Sequence, residues 1–167
     1  RCVETRTGGI NLTFNNVNLK AIKGAYTQPF TVGGNGDNLV VNFNNSTIEA
    51  GHYGITTFNP VALNINNSTI SGYAALYFKA ADSSLGSAGS VINVTGSTLE
   101  GVNNNAGVSN AFSTIMLEDS NVKINVGSTS TVKVFATSNQ QSALCFGNEL
   151  VKSIVSGCDI TIAGNID

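Results

Sequence analysis

The sequence predicts an all-β solenoid: one chain of 167 residues wound into stacked coils. Three observations carry this. An eight-residue frame recurs along the chain. The residue at the frame's tight bend is always Asn, Gly or Asp. The polar share comes from Asn, Ser, Thr and Gly, and only 11% of residues are charged. Those residue types are poor helix formers, which disfavours a helical protein. The 41% of apolar residues recur in short β-type runs, which disfavours disorder.

The frame is clearest in Val41-Asn-Phe-Asn-Asn-Ser-Thr-Ile48 and Leu63-Asn-Ile-Asn-Asn-Ser-Thr-Ile70. Ile92-Asn-Val-Thr-Gly-Ser-Thr-Leu99, Leu12-Thr-Phe-Asn-Asn-Val-Asn-Leu19 and Ile115-Met-Leu-Glu-Asp-Ser-Asn-Val122 fit it, and Ile154–Ile160 is a weaker copy. With Phe14, Phe43, Ile65, Val94, Leu117 and Val155 equivalent, the spacings are 29, 22, 29, 23 and 38. The first, third and last positions are apolar and point inward with the period of two of a strand. The fifth position holds Asn16, Asn45, Asn67, Gly96, Asp119 and Gly157. These residue types tolerate the left-handed backbone that costs other residues about 1–2 kcal/mol. The frame therefore reads as strand, tight bend, strand. Leu76-Tyr-Phe78, Leu144-Cys-Phe146 and, more loosely, Ile55–Phe58 form a second repeated segment. One coil then holds three short strands: 53–58, 61–65 and 46–49, or 74–79, 90–94 and 68–71.

Three strands per coil and the column Asn16, Asn45, Asn67 at the bend resemble the right-handed parallel β-helix of the pectate-lyase-like superfamily, with its asparagine ladder. The resemblance covers most of residues 10–166. It implies about six to seven coils in a rod about 30 Å long. It implies no activity, because that superfamily includes lyases, hydrolases, adhesins and non-catalytic surface proteins. Inside the rod, Phe14, Phe43, Ile65, Val94 and Leu117 are expected to stack, as are Leu19, Ile48, Ile70, Leu99 and Val122. Ser46, Ser68, Ser97 and Ser120 form a second polar column. Residues 1–167 read as one domain. Residues 1–9 cover one end, and 123–141 are an insertion in which Val122–Val126 and Thr131–Phe135 form a hairpin or an extra strand pair. Residues 28–37 and 81–89 are loops leaving one side. The segment Ile160–Ile166 is an uncapped strand, so the chain is either part of a longer protein or a unit that stacks end to end.

The function classes narrow by exclusion. The net charge of −2 gives no reason to expect nucleic acid. No apolar run reaches the 18 residues of a membrane span, so direct membrane insertion is not expected. Lyases of the family need a Ca²⁺-binding carboxylate cluster and a basic proton-abstracting residue. Its hydrolases need carboxylates paired on one face. Here the acids are scattered, the only arginines are Arg1 and Arg6, and His52 is the sole histidine. No catalytic residues, metal ligands or cofactor are assigned. Gly33–Gly36 lacks the Lys of a phosphate loop. Cys145 and Cys158 either pair across coils or stay free, and Cys2 is left over.

Six Asn-x-Ser/Thr sequons start at Asn11, Asn44, Asn45, Asn66, Asn67 and Asn93. They read as bend chemistry rather than glycan sites. The Ser-Thr pairs at 46–47, 68–69 and 97–98 stack in register. A water-ordering array, as in ice-binding solenoids, is disfavoured because Asn18, Asn121 and Asp159 interrupt the column. Tyr26, Tyr53, Tyr73 and Tyr77 cluster at the first strand of successive coils and form a candidate aromatic platform for sugars, with Lys79, His52, Glu49 and Glu100 nearby. The expectation is a non-enzymatic, extracellular or cell-surface, adhesin-like segment presenting a binding face to carbohydrate or another host-surface ligand. A fragment of a polysaccharide lyase or glycoside hydrolase and a self-assembling filament subunit are the alternatives.

Overall fold

The computed structural model describes residues 1–23, 27–35, 38–79, 86–102, 113–134, 142–147 and 154–167. Each coil contributes three strands. The first coil holds β1 (Val3–Thr7), β2 (Asn11–Asn15) and β3 (Asn18–Ala21), and the second β4 (Phe30–Asn35), β5 (Val40–Asn44) and β6 (Thr47–Ala50). The third holds β7 (Tyr53–Thr57), β8 (Ala62–Asn66) and β9 (Thr69–Gly72), and the fourth β10 (Ala74–Phe78), β11 (Val91–Thr95) and β12 (Thr98–Gly101). The fifth holds β13 (Ser113–Leu117), β14 (Lys123–Val126) and β15 (Thr131–Val134), and the sixth β16 (Ser142–Phe146), β17 (Asp159–Ile162) and β18 (Asn165–Ile166). Strands three apart in the chain pair in parallel, which gives three six-stranded sheets. The molecule is a parallel β-helix of six coils.

Sequence alternation dictates which side chains enter the rod. Phe14, Phe43, Ile65, Val94, Val126 and Ile162 form one inward column of the second sheet. Leu19, Ile48, Ile70, Leu99, Val132 and Ile166 form its counterpart in the third sheet. Val3, Phe30, Ile55, Leu76, Ile115 and Leu144 close the core from the first sheet. The Phe14 and Phe43 rings stack with centroids 4.9 Å apart, and Phe30 meets both edge-on at 5.7 and 5.2 Å. Fully buried side chains of this kind contribute about 1.5–3 kcal/mol each.

Left-handed residues recur at two of the bends. Between the second and third sheets, Asn16, Asn45, Asn67 and Gly96 have φ of 56, 50, 48 and 58°. A Cβ at Gly96 would collide with the Asn67 carboxamide oxygen, so this position takes glycine on two counts. Between the first and second sheets, Gly9, Asn38, Gly89, Asn121 and Gly157 also have positive φ. Their third-coil equivalent is Pro60, whose ring fixes φ near −65°.

Buried serines hold the second bend. The amides of Val17, Ser46, Ser68 and Ser97 donate to the hydroxyls of Ser46, Ser68, Ser97 and Ser130, at 3.2, 2.9, 2.9 and 3.2 Å. The hydroxyls of Ser46, Ser68 and Ser97 donate in turn to the carbonyls of Asn44, Asn66 and Thr95, each at 2.8 Å. The bend amides inside the rod are thereby satisfied at about 0.5–1.5 kcal/mol per bond.

Several placements differ from the sequence reading. The fifth frame copy is Ile124–Val132, not Ile115–Val122, so spacings along the Asn column run 29, 22, 29 and 32. Leu117 pairs with Phe78 and Phe146 in the first sheet. Asp119 and Gly157 leave the second-bend column, Val122 leaves the Leu19 column, and Ser130 replaces Ser120, whose hydroxyl instead accepts the Ser156 amide. Lys123–Val126 and Thr131–Val134 are no hairpin: they lie in different sheets, each parallel to its neighbours. Residues 135–141 of the expected insertion lie outside the described residues. Val3–Thr7 is a rung rather than an end cover, and Phe30–Asn35, expected in a loop, is the second rung of the same sheet. The physical cause is shared chemistry: in the later coils the first bend sets left-handed Gly89, Asn121 and Gly157 beside a Ser, as the second bend does Asn45, Asn67 and Gly96, so one bend mimics the other.

Candidate functional site

The outward column of the first sheet runs Thr31, Thr56, Tyr77, Met116, Cys145. An outward column should meet water, yet Thr31, Thr56, Tyr77 and Met116 are buried, as are the adjoining His52, Tyr53, Tyr73 and Glu118. Gly72 positions part of this cluster. Its backbone lies so near the His52 carbonyl that a Cβ would stand 2.8 Å from that oxygen. The His52 ring stacks on Tyr53 at 3.6 Å and lies 6.0 Å from Tyr73, and Tyr53 meets Tyr77 at 4.4 Å.

The electrostatics follow from burial. Loss of hydration lowers the His52 pKa to about 4, which keeps the imidazole neutral. Burial raises the Tyr73 hydroxyl. Tyr77 is pushed well above the ordinary phenol range, first by burial, then by the Glu118 carboxylate that accepts its hydroxyl hydrogen bond, and then by Tyr53. A buried carboxylate is costly unless hydrogen-bonded, and Tyr77 supplies a donor.

The structure therefore brings His52, Tyr53, Tyr73 and Tyr77 together, as the spacing suggested. His52, Tyr53, Tyr73 and Tyr77 are buried there, at 1, 8, 6 and 5% exposure. Tyr26 lies outside the described residues. Lys79 sits with its ammonium 6.0 Å from the Phe58 ring centre. Glu49 and Glu100, expected beside the tyrosines, instead face outward from the third sheet, where Glu49 pairs with Lys20 at 2.8 Å and Glu100 neighbours Lys133. Met116 and Glu118 also join the cluster, because β13 pairs with β10 in the first sheet instead of carrying the second-sheet frame.

The second sheet also presents an open face. Here the side-chain bonds between asparagines run in two columns beside the bend residues Asn16, Asn45 and Asn67. In one, the Asn42, Asn64, Asn93 and Asn125 amides donate in sequence to Asn11, Asn42, Asn64 and Asn93 at 3.3, 2.9, 3.0 and 3.0 Å. In the other, Asn44 donates to Asn15 at 2.8 Å and Asn66 to Asn44 at 2.9 Å. A carboxamide has two N–H donors and two acceptor sites. One of each within a ladder leaves one of each for the solvent side. The signal was present in the sequence: position two of the frame, between two inward residues, is Asn42, Asn64 and Asn93.

Just past the second bend, Thr47, Thr69, Thr98 and Thr131 are consecutive outward neighbours of the third sheet. Asn121 and Asp159, expected to interrupt that column, lie at the first bend and on the second sheet. A column of charged and polar residues (Lys20, Glu49, Ser71, Glu100, Lys133) runs beside it.

A groove follows the first bend on the second sheet. It has a volume of about 530 Å³ and is lined by Asn38, Val40, Pro60, Ala62, Gly89 and Val91, over buried Leu39 and Val61.

Cys2, Cys145 and Cys158 are free thiols. Cys158 points toward the Asp119 carbonyl at 3.6 Å and Cys145 toward that of Gly147 at 3.8 Å, so the pairing alternative is not formed. Among the described residues, no three His, Cys, Asp or Glu side chains converge to hold a metal, and no helix is long and apolar enough to cross a membrane. Comparison with protein-family models, curated proteins and solved structures found no match to this chain.

Proposed function

We propose that this chain is a non-enzymatic β-helical segment of an extracellular or cell-surface, adhesin-like protein, of the pectate-lyase-like kind, and that its second sheet binds neutral carbohydrate. The observation that supports this reading is the pair of in-register asparagine ladders. They repeat donors and acceptors at the rung spacing of about 4.8 Å on a rigid scaffold, with no charged side chain within the ladder columns. A neutral glycan offers hydroxyls that both give and accept hydrogen bonds and gains nothing from charge. Acidic polymers and nucleic acid would need a basic surface.

The test is a panel of immobilised neutral and acidic polysaccharides probed with the parent protein and with Asn66→Ala. Retention on one or more neutral glycans, weakened in the variant while far-UV circular dichroism is unchanged, is expected. Failure to bind any neutral glycan, or cleavage of an acidic polysaccharide with added Ca²⁺, would replace this reading with the lyase alternative or remove it.

End-to-end self-association has its own supporting observation. Phe146 on the edge strand of the first sheet and Ile166 on that of the third are 52 and 60% exposed. Concentration-dependent light scattering is expected on this second reading, and a strictly monomeric species at all concentrations refutes it.

A further inference from the structure

We infer that the groove along Val40, Ala62 and Val91 is the seat of an extended, unbranched, neutral polysaccharide lying parallel to the rod axis; this inference rests on the carbohydrate reading above and names its subsite. Outward positions on the second sheet are otherwise Asn, Thr, Lys or Asp. Val40, Ala62 and Val91 break that pattern on three successive rungs. Val91 is 37% exposed, so its methyl groups add little to the core. The neighbouring column is the ladder Asn42, Asn64, Asn93.

Each rung thus offers one aliphatic contact and one carboxamide side by side. A pyranose has the matching halves, an apolar C–H face and a rim of hydroxyls. The rung spacing is comparable to the advance of one sugar unit in an extended chain. Asn38, Pro60 and Gly89 form the far wall, and none of the lining residues is charged. The column ends at Asn11 on one side and at the Lys123–Asp159 ion pair, 3.2 Å long, on the other. The seat therefore spans about three sugar units. Its volume lies within the range of about 300–1,000 Å³ typical of ligand sites.

An extended peptide fits this surface less well. β5, β8 and β11 are hydrogen-bonded on both sides, so they have no free edge to which a peptide strand could add.

The experiment uses a length series of neutral oligosaccharides titrated by calorimetry. It compares the parent, Ala62→Arg and Val91→Glu in the groove, and Thr69→Arg on the third sheet. Methyl NMR shifts of Val40, Ala62 and Val91 are followed in parallel. We expect affinity to rise to about three units and then level. Each groove variant should lower it about tenfold or more, Thr69→Arg should leave it unchanged, and the three groove methyl signals should move on binding. If the parent binds and both folded groove variants bind equally well, or the groove methyls stay still, the groove assignment falls while the carbohydrate reading stands. If the parent binds no neutral oligosaccharide, or binds extended peptides instead, the underlying reading falls with it.

Discussion

Acid should loosen this protein through one side chain. His52 is the sole histidine, it is 1% exposed, and its pKa is lowered to about 4 by burial. Two effects compete. The Tyr53 ring stacked at 3.6 Å attracts an imidazolium by about 0.5–2 kcal/mol. Stripping water from a buried cation costs several kcal/mol. Desolvation is larger, so the folded state holds the neutral ring. An unfolded chain protonates the same ring below its ordinary value of 6.5. Between pH 6.5 and about 4 the unfolded state therefore binds more protons, and stability falls as pH falls through that window. At about 1.4 kcal/mol per pH unit, the loss from pH 7.5 to 5 is about 2 kcal/mol, and the full loss below pH 4 is about 3 kcal/mol.

Urea unfolding at pH 7.5 and pH 5 measures the first figure. His52→Gln should remove most of the difference, since it deletes the titrating group and leaves the carboxylates in place. A ring-proton NMR titration reads the folded state directly, and a single histidine makes the assignment unambiguous. A midpoint near 6.5 in the folded protein, or an equal loss of stability in His52→Gln, would refute the burial argument.

Three other perturbations have expected outcomes. Ser68→Ala removes the acceptor of the buried Ser46 amide and should cost about 1–3 kcal/mol in urea unfolding, whereas Ser71→Ala, half-buried on the third sheet, should cost less than 1 kcal/mol. Gly96→Ala, at φ 58° and against Asn67, should cost more than 1–2 kcal/mol, roughly the left-handed penalty alone, while Asn45→Gly should cost less in the same assay. Tyr77→Phe deprives buried Glu118 of a hydroxyl donor and should cost about 1.5–3 kcal/mol, partly recovered in the Tyr77→Phe, Glu118→Gln double variant. A double-mutant cycle with no coupling would place the Glu118 charge on other partners.

The architecture was legible because a parallel β-helix writes its period into the chain. Inward alternation and a left-handed residue every coil are needed for stacking, and both leave residue-level marks: Asn16, Asn45, Asn67 and Gly96 fall at the bend the sequence indicated. Strand bounds followed within a residue or so at β7, β8, β10 and β11. The fifth and sixth coils were misregistered because the bend between the first and second sheets carries the same chemistry. Asn121 has φ 57° and Gly157 has φ 68°, each next to a serine one or two residues away. A pattern search cannot separate two bends that solve the same steric problem. Pairing partners separate them at once: Ile124 meets Ile92, and Ile115 meets Leu76.

A separate ambiguity decided which face looked functional. Alternation along a strand tells inward from outward, but outward is a statement about the sheet and not about water. Tyr77 and Met116 satisfy the outward pattern and are 5 and 3% exposed, while Asn64 and Asn93 satisfy it and present amides to solvent. Residue type alone favoured the tyrosines, since aromatic rings are frequent sugar contacts. Burial reverses the ranking. The aromatic and ionisable groups of the first sheet are buried against one another through ring contacts and a Tyr77–Glu118 hydrogen bond. On the carbohydrate reading proposed above, recognition would fall to the least conspicuous residues in the chain, the frame's second-position asparagines and the Val40, Ala62 and Val91 column beside them. Their value lies in being uncharged, repeated and rigidly spaced, so the affinity they support should depend little on salt. A steep loss of glycan binding between low and high ionic strength would point instead to the Lys20 and Lys133 column of the third sheet.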